Sequence, residues 1–384
     1  IQAGYEKYPK KNWRDLIKHK KGVLITDFAD LKEFLIIQEL KDGLPRIKFI
    51  NKKNNKKTEI KFDEEAYQLN FSEGAEYASN LIRLNYSAMN VPATVYQYNL
   101  KTEKRKKLKQ QKIPAGFNKN KYETKRVFAK SHDGKKIPIS ILKLKTTKNN
   151  APTLLYGYGS YGMSMTPSFS VARLSLVDRG MVFAIAHIRG GMEKGRQWYL
   201  DGKLRKKKNT FKDFIKSAKF LKNSKISGDL TIHGGSAGGL LIGSTINMAP
   251  KLFKSAVADV PFVDVLNTIL DASLPLTPPE WEEWGNPILN KNDFLNIQSY
   301  SPYDNVRKQE YPSLLVTAGL TDPRVTYWEA AKWVARLREL KTDKNDIFLK
   351  TNMDAGHAGK AGRYHQIDET AFMYSFILNS HNLL

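Results

Sequence analysis

The chain has 384 residues, which is more than one average domain, and hydrophobic residues make up 41% of it, enough to bury a sizeable core. No apolar run is long enough to cross a bilayer, so the sequence excludes an integral membrane protein. The absence of cysteine excludes disulfides, a thiolate nucleophile and thiolate metal sites.

The formal net charge of +25 suggests, at face value, an anionic partner such as nucleic acid or a membrane surface. The lysines cluster in segments 51–57 and 101–112, which we expect to be loops and turns, and no platform of aromatic residues is interleaved with them. We therefore expect a solvated basic surface that adheres to polyanions in a salt-sensitive way. Neither a specific nucleic-acid partner nor a membrane is expected.

The front of the chain has the pattern of an all-β region. Short runs of β-branched, aromatic and other apolar residues are separated by polar turns such as Asp42-Gly43. This pattern continues to about Gly116. Four segments are predicted to be strands: 33–40, 46–50, 81–86 and 94–98.

The second region begins with a hairpin at 122–144 that turns at Asp133-Gly134. After a polar linker at 146–150, strand-like and helix-like stretches alternate to the end of the chain. Alternation of this kind predicts a mostly parallel sheet with helices on both faces, and places functional loops at the carboxyl ends of the strands. The strand-like segments are 153–156, 181–187, 230–233, 255–260, 313–319 and 347–351.

A G-x-S-x-G string lies at 234–239, between a strand-like segment at 229–233 and a helix-like segment at 240–248. Such a strand–turn–helix context is typical of a nucleophile elbow, in which glycines permit a strained turn and the helix start directs N–H groups toward an oxyanion. The alternative is a chance match in a glycine-rich loop. The flanking elements favour Ser236 as a nucleophile.

A serine nucleophile needs a base and a group that orients it, and α/β-hydrolases supply an acid and then a histidine after later strands. Asp322 follows the strand-like segment 313–319, and His357 lies in a glycine-framed loop after the next one. His365 falls in a helical pattern and His381 in a polar tail. The alternatives are an N-cap at Asp322 for a predicted helix at 326–340, and a locally hydrogen-bonded loop histidine.

Long strings of residues in the second region resemble a known family. They are 155–162, 187–191, 198–199, 206–211, 234–239, 260–265, 283–287, 301–306 and 354–359. The family is the prolyl oligopeptidase family of serine peptidases, and the sequence is most similar to its oligopeptidase B branch. The resemblance covers nearly the whole chain. It implies an α/β-hydrolase catalytic domain at 117–384, preceded at 1–116 by the last blades only of a β-propeller.

The resemblance also implies a catalytic machinery. Ser236, Asp322 and His357 match the family's triad, and Tyr158 matches the tyrosine that shares the oxyanion hole with the N–H of Ala237. A phenol and a backbone N–H directed at a developing oxyanion supply preorganised charge stabilisation. No metal ion and no organic cofactor is implied.

Cleavage after Arg or Lys is implied by the match to the oligopeptidase B branch. Glu280 and Glu282 match paired acids that bind the basic side chain, and Arg324 matches an arginine that binds a substrate carbonyl. The alternatives are a solvated acidic helix start and a surface arginine. Where that branch often has acids that favour a second basic residue, segment 164–168 has none, so no strong dibasic preference is expected.

Residues 1–116 resemble only the last part of the family's seven-bladed propeller, and the first residue is Ile1. A fragment, a processed form and one piece of a split protein whose partner chain supplies the missing blades all stay open. We expect a cytoplasmic serine oligopeptidase that acts on short peptides through an acyl-enzyme. An esterase or another peptidase of the same fold is one alternative, and a non-catalytic remnant or subunit is another.

Overall fold

A computed structural model describes residues 13–384, except for the side chain of Arg363. Expectations that concern residues 1–12, including Ile1 and the start of the predicted propeller region, lie outside the described residues. No helix among residues 13–384 is long and apolar enough to cross a membrane.

The front region forms two four-stranded antiparallel sheets, with strands in sequential order in each. All four predicted strands are present, and the Asp42-Gly43 turn joins β2 to β3. The strands are β1 Val23–Asp30, β2 Phe34–Lys41, β3 Leu44–Asn51, β4 Lys57–Ile60, β5 Tyr67–Glu73, β6 Leu81–Ala88, β7 Val91–Asn99 and β8 Lys104–Gln110.

The expectation that segment 101–112 is a loop is wrong, because Lys104–Gln110 forms strand β8. Among the strands of residues 13–384, this one pairs only with β7 and forms the edge of its sheet, and every one of its residues is exposed. A strand with both faces in solvent has no apolar alternation for a sequence pattern to reveal. Lysines on an edge strand also discourage further strand pairing.

An apolar core lies between the two small sheets. Ile36 and Ile47 of the first sheet and Leu69 and Leu84 of the second are all fully buried in it. The alternation along β6, in which exposed and buried side chains alternate from Leu81 to Tyr86, places one face of the strand in this core.

The second region forms one eight-stranded sheet of order β16-β15-β14-β13-β11-β12-β10-β9. Strands β11 to β16 run parallel, whereas β10 is antiparallel to both of its neighbours. The strands are β9 Tyr122–Lys130, β10 Lys136–Leu144, β11 Ala151–Tyr156, β12 Val182–Ala186, β13 Ser227–Gly235, β14 Ser255–Asp259, β15 Ser313–Gly319 and β16 Ile347–Asn352.

Helices cover both faces of this sheet. Successive residues of a strand serve different faces, so that Leu154 packs with α1 and α9 while Leu155 packs with α3, α4 and α8. The helices are α1 Val171–Asp178, α2 Arg196–Leu200, α3 Lys208–Asn223, α4 Ala237–Met248, α5 Val265–Leu270, α6 Thr277–Trp284, α7 Lys291–Gln298, α8 Tyr327–Leu340 and α9 Arg363–Ser380.

The parallel register brings the carboxyl ends of the central strands to one edge of the sheet. Gly235 pairs with Asp259, Asp259 with Thr317, and Gly319 with Asn352. The segments that follow β11, β13, β15 and β16 therefore meet at this edge, and they carry the residues that the sequence singles out.

Candidate active site

Ser236 lies at the turn between β13 and α4. Its φ of +56° and ψ of −122° are values that residues other than glycine rarely adopt. The turn needs glycine on both sides, because a Cβ at Gly234 would lie 2.5 Å from the carbonyl oxygen of Gly238, and one at Gly238 would lie 3.1 Å from that of Gly157. The predicted order of strand, turn and helix is thus present, although the strand is longer and the helix begins earlier than predicted.

Asp322 and His357 are hydrogen-bonded to each other after β15 and β16. The distance from His357 Nδ1 to Asp322 Oδ2 is 2.7 Å, and the Asp322 side chain is fully buried. Asp322 Oδ1 accepts from the N–H groups of Arg324 at 2.8 Å and Val325 at 3.0 Å. With both oxygens engaged, the carboxylate holds the imidazole in one orientation.

The alternative in which Asp322 caps the next helix is not supported. Helix α8 begins at Tyr327, and its N-cap residue is Thr326. The two N–H groups that Asp322 accepts belong to the loop before that residue.

No hydrogen bond joins Ser236 to His357 within residues 13–384. Ser236 lines a cleft of about 310 Å³, whereas His357 lines a neighbouring hollow of about 370 Å³ between the strand ends and α9. Catalytic hydrogen bonds are often long or absent in unliganded sites and tighten when substrate binds. In this structure, Ser236 and His357 are therefore near the same sheet edge without being hydrogen-bonded to each other.

Tyr158 and Ala237 flank the serine on its other side. Tyr158 and Ser236 line the same cleft, and Ala237 is the first residue of α4. Burial, with smaller contributions from nearby Tyr156 and Glu280, raises the pKa of Tyr158 to about 12, although the Ser236 side chain opposes this shift. The phenol thus stays protonated at neutral pH and can donate. Among the described residues, the N–H of Ala237 donates to no other group, as expected at a helix start.

The Ser236 cleft also contains Glu280 and Arg324. Glu280 Oε2 accepts from the Tyr161 hydroxyl at 2.8 Å and from Trp284 Nε1 at 2.6 Å. Its other oxygen has no partner among the described residues and is available to a ligand. Arg324 is exposed at the rim that Pro323 and Val325 also form.

The expected pair of Glu280 and Glu282 is not formed in the cleft. Both residues lie on α6, where positions two apart point about 200° from each other, and Glu282 is exposed outside the cleft lining. The neighbouring Glu283 is buried instead. It accepts from the N–H of Tyr161 at 3.0 Å and from the Tyr199 hydroxyl at 2.6 Å, which joins α6 to the Tyr158 loop.

A second acid in the cleft lining, Glu329, is absent from the sequence expectations. It is fully buried on α8, where Oε2 accepts from the N–H groups of Val263 and Asp264, both at 2.9 Å, and Oε1 accepts from the Thr268 hydroxyl at 2.7 Å. Burial raises the pKa of Glu329 to about 7. A glutamate in a regular amphipathic helix gives no sequence signal, since only the fold shows that its side chain points inward.

The residues that the structure describes contain no group of three or more histidine or acidic side chains placed to hold a metal ion. The expectation that no metal or other cofactor takes part stays a prediction.

Comparisons with known proteins agree with this geometry. Residues 167–383 match the model of the prolyl oligopeptidase family, and residues 2–111 match the model of the prolyl oligopeptidase N-terminal beta-propeller domain. The chain belongs to the prolyl oligopeptidase family. The resemblance seen in the sequence is therefore confirmed, as is the combination of an α/β-hydrolase domain with propeller blades.

Two curated relatives show the extent of this kinship. Dipeptidyl aminopeptidase BI of Pseudoxanthomonas mexicana is 44% identical over 99% of this chain and 53% of its own length. Protease 2 of Moraxella lacunata is 40% identical over 95% of this chain and 53% of its own. The chain thus spans about half the length of these family members.

Solved structures give the same result. Oligopeptidase B from Leishmania major superposes with a TM-score of 0.89 at 42% identity, over 96% of this chain and 53% of that one. Oligopeptidase B from Trypanosoma brucei with covalently bound antipain gives a TM-score of 0.88 at 43% identity, over 95% and 53%.

Several of the residues other than glycine that have a positive φ lie at this family site. Besides Ser236, Tyr161 has a φ of +57° and Val260 a φ of +39°. Val260 follows Asp259, whose carbonyl accepts the N–H of Ser236 at 2.8 Å. Side-chain-bearing residues in this conformation cost about 1–3 kcal/mol each and persist where the surrounding structure forces them. The strain therefore accompanies the positioning of the elbow and of the Tyr158 loop.

Proposed function

We propose that this chain contains the catalytic centre of a serine oligopeptidase that hydrolyses peptide bonds after Arg or Lys in short peptides. The observation that carries the proposal is the 2.7 Å Asp322–His357 bond at the same sheet edge as the left-handed Ser236. An acid–base pair and a nucleophile elbow at adjacent strand ends have the arrangement that acyl transfer needs.

The proposed reaction uses these groups in turn. His357 takes the proton from Ser236 as the serine oxygen attacks the peptide carbonyl, and Asp322 orients the ring and stabilises its charge. The Tyr158 hydroxyl and the Ala237 N–H stabilise the oxyanion. His357 then protonates the leaving amine, and water resolves the acyl-enzyme by the same route.

Specificity for a basic residue is assigned to Glu280. Glu280 lines the same cleft as Ser236 and has one carboxylate oxygen without a partner among the described residues, so a guanidinium or ammonium there could form a charge-assisted hydrogen bond with it. Arg324, on the rim of the same cleft, is proposed to bind a substrate carbonyl. Glu282 is given no direct contact with substrate, since it lies outside the cleft lining.

The test is hydrolysis of fluorogenic peptide amides that end in Arg, Lys, Leu or Pro, each with a blocked and a free amino terminus. We expect the wild-type chain to hydrolyse the Arg and Lys substrates, and Ser236→Ala to reduce that rate by ~10⁴-fold or more. A preference for the free terminus would favour dipeptide release, which the name of the Pseudoxanthomonas relative suggests. Equal turnover in Ser236→Ala would contradict the proposal.

Glu280→Gln separates specificity from chemistry. We expect it to lower kcat/KM for the Arg substrate by ~10²-fold, because the charged partner of the basic side chain is lost, while hydrolysis of the Leu substrate is unchanged. Glu282→Gln is the matched control on the same helix and should change neither. Equal losses in the two variants would contradict the assignment to Glu280.

Several expectations stay predictions. We place the domain boundary between 116 and 117, in the exposed segment that separates β8 from the hairpin of β9 and β10. Cytoplasmic location and a partner chain that supplies further blades also stay predictions. Hydrolysis of short esters without hydrolysis of any amide would favour the esterase alternative, and inactivity of folded chain would favour the remnant.

A further inference from the structure

Lys207 is a buried cation that the proposed mechanism does not use. Only 1% of its surface is exposed, although it lies between the exposed Lys206 and the half-buried Lys208. Its Nζ donates to the carbonyl oxygen of Gly159 and to Ser160 Oγ, both at 2.7 Å. Burying an ammonium group costs free energy unless the group is fully hydrogen-bonded, so a role for this lysine is worth seeking.

Both acceptors of Lys207 belong to the loop that carries the oxyanion tyrosine. Gly159 and Ser160 follow Tyr158 directly, and Tyr161 comes next and contacts Glu280. On its other side, Nζ lies 4.9 Å from the centroid of the Trp284 ring on α6. Lys207 therefore contacts both the Tyr158 loop and helix α6.

We propose that Lys207 is a positioning residue that, in its charged form, holds the Tyr158 loop in place for oxyanion stabilisation; this inference rests on the proposed function. The charged ammonium has three donors, and the structure offers three acceptors, namely the Gly159 carbonyl, Ser160 Oγ and the face of Trp284. A neutral amine has two donors, and its lone pair would face one of these electron-rich groups. Deprotonation should therefore loosen the loop.

Burial also lowers the pKa of Lys207 to about 8, although nearby Glu283 opposes this shift. Lys207 therefore loses its charge within an accessible pH range. The Tyr161 and Tyr199 hydroxyls have pKa values raised by burial and by nearby carboxylates, so they stay neutral there. The other titratable groups near Lys207 and Glu283 are Tyr161 of the Tyr158 loop, Tyr199 of α2, Lys203 just after α2, and Tyr300 just after α7.

The test is the pH profile of kcat for the best peptide amide. We expect wild-type kcat to fall above pH 8, and Lys207→Met to reduce kcat ~10–100-fold at neutral pH, since small misplacements of catalytic groups cost that much. The variant should also lack the alkaline fall. Lys206→Met, which removes an exposed neighbour, should keep both the rate and the profile. A Lys207→Met profile that keeps the alkaline fall would overturn the proposal.

Chemical rescue separates positioning from mere packing. Because the chain has no cysteine, Lys207→Cys can be alkylated uniquely with bromoethylamine in denaturant and refolded, which gives a lysine isostere with a less basic amine. We expect kcat to recover and the alkaline fall to move to lower pH. Recovery with an unmoved profile would overturn the role of the charge.

Failure of the proposed function is distinguished by a measurement without substrate. If wild type shows no Ser236-dependent turnover, the ¹³C signal of the Tyr158 ring, assigned with Tyr158→Phe, decides the role of Lys207. A shift of that signal as pH passes 8, present in wild type and absent in Lys207→Met, supports the positioning role. A signal without that dependence overturns it.

Discussion

Tyr158 shows how burial prepares a single side chain for its proposed role. A phenol whose pKa is raised to about 12 remains a donor across the neutral and mildly alkaline range. We expect Tyr158→Phe to lower kcat by ~10²–10³-fold with little change in KM, because an oxyanion donor acts in the transition state. Steady-state kinetics on the Arg amide measure both quantities. A change in KM alone would show that Tyr158 binds substrate and does not stabilise the oxyanion.

Glu329 is expected to make stability depend on pH. Its pKa of about 7 lies above its ordinary value of 4.5, so the folded state binds this proton more tightly. The resulting stabilisation is complete below pH 4.5 and is lost as pH rises through 7. Glu329→Gln, which can keep the bonds to Val263 and Asp264, should gain stability relative to wild type by about 2–3 kcal/mol between pH 5 and pH 8.

Denaturant unfolding at several pH values measures this difference. Glu339→Gln removes an exposed carboxylate from the same helix and serves as the control. A stability difference between Glu329→Gln and wild type that does not vary with pH would contradict the raised pKa.

At the level of elements, the glycines around Ser236 differ in what they tolerate. A Cβ at Gly234 would meet the backbone oxygen of Gly238 at 2.5 Å, whereas one at Gly235 would lie no closer than 3.4 Å to Asp259. We expect Gly234→Ala to lower the free energy of unfolding by about 2–4 kcal/mol and to abolish hydrolysis, because the elbow must shift. Gly235→Ala should be nearly silent. Thermal unfolding and Arg-amide kinetics test the pair, and similar effects at both positions would contradict the account.

Much of the catalytic domain could be predicted from sequence because its strands are short apolar runs that end in glycine-bounded loops. The predicted bounds of strand β15 agree with the structure to the residue. Helix α4 starts three residues earlier than predicted, because Gly238 and Gly239 do not look like helix residues in the sequence. Tight packing requires glycine there, since a Cβ at Gly239 would lie 2.3 Å from Pro261. Glycine has low helix propensity, and the packing overrides it.

The site was less completely predictable. Ser236, Asp322 and His357 can be singled out from the sequence because their chain order and loop positions are distinctive, and their catalytic roles stay predictions. Glu282 is exposed because of the way α6 is rotated about its own axis. The helix begins with prolines, and the sequence pattern does not predict which of its faces points into the cleft. Lys207 lies in a run of lysines that looks like a solvated surface, and only the packing of α3 against the Tyr158 loop shows that one of them is buried.

At the scale of the molecule, the blades and the catalytic domain have separate cores. One cluster joins the two small sheets, and two others cover the faces of the large sheet. Of the blade residues that the structure describes, only Ala66 and Met89 are buried in one of those two. We therefore expect two unfolding transitions in calorimetry. Leu84→Ala should lower the midpoint temperature of the blade transition, because it lowers the stability of the blades by about 2–5 kcal/mol. At temperatures below that transition, hydrolysis of small amides should be unchanged. A single transition that moves as a whole would contradict this independence.

The central claim is that Ser236 is a nucleophile activated by His357 and Asp322. Its most direct test is labelling of the folded chain with a fluorophosphonate, followed by mass spectrometry of intact protein and peptides. This reaction requires the nucleophile and base but no basic side chain in the probe. We predict one adduct per chain, on Ser236, absent in Ser236→Ala and formed on the order of 10³-fold more slowly in His357→Ala. A folded chain that takes no label, or labels equally without Ser236, would contradict the account.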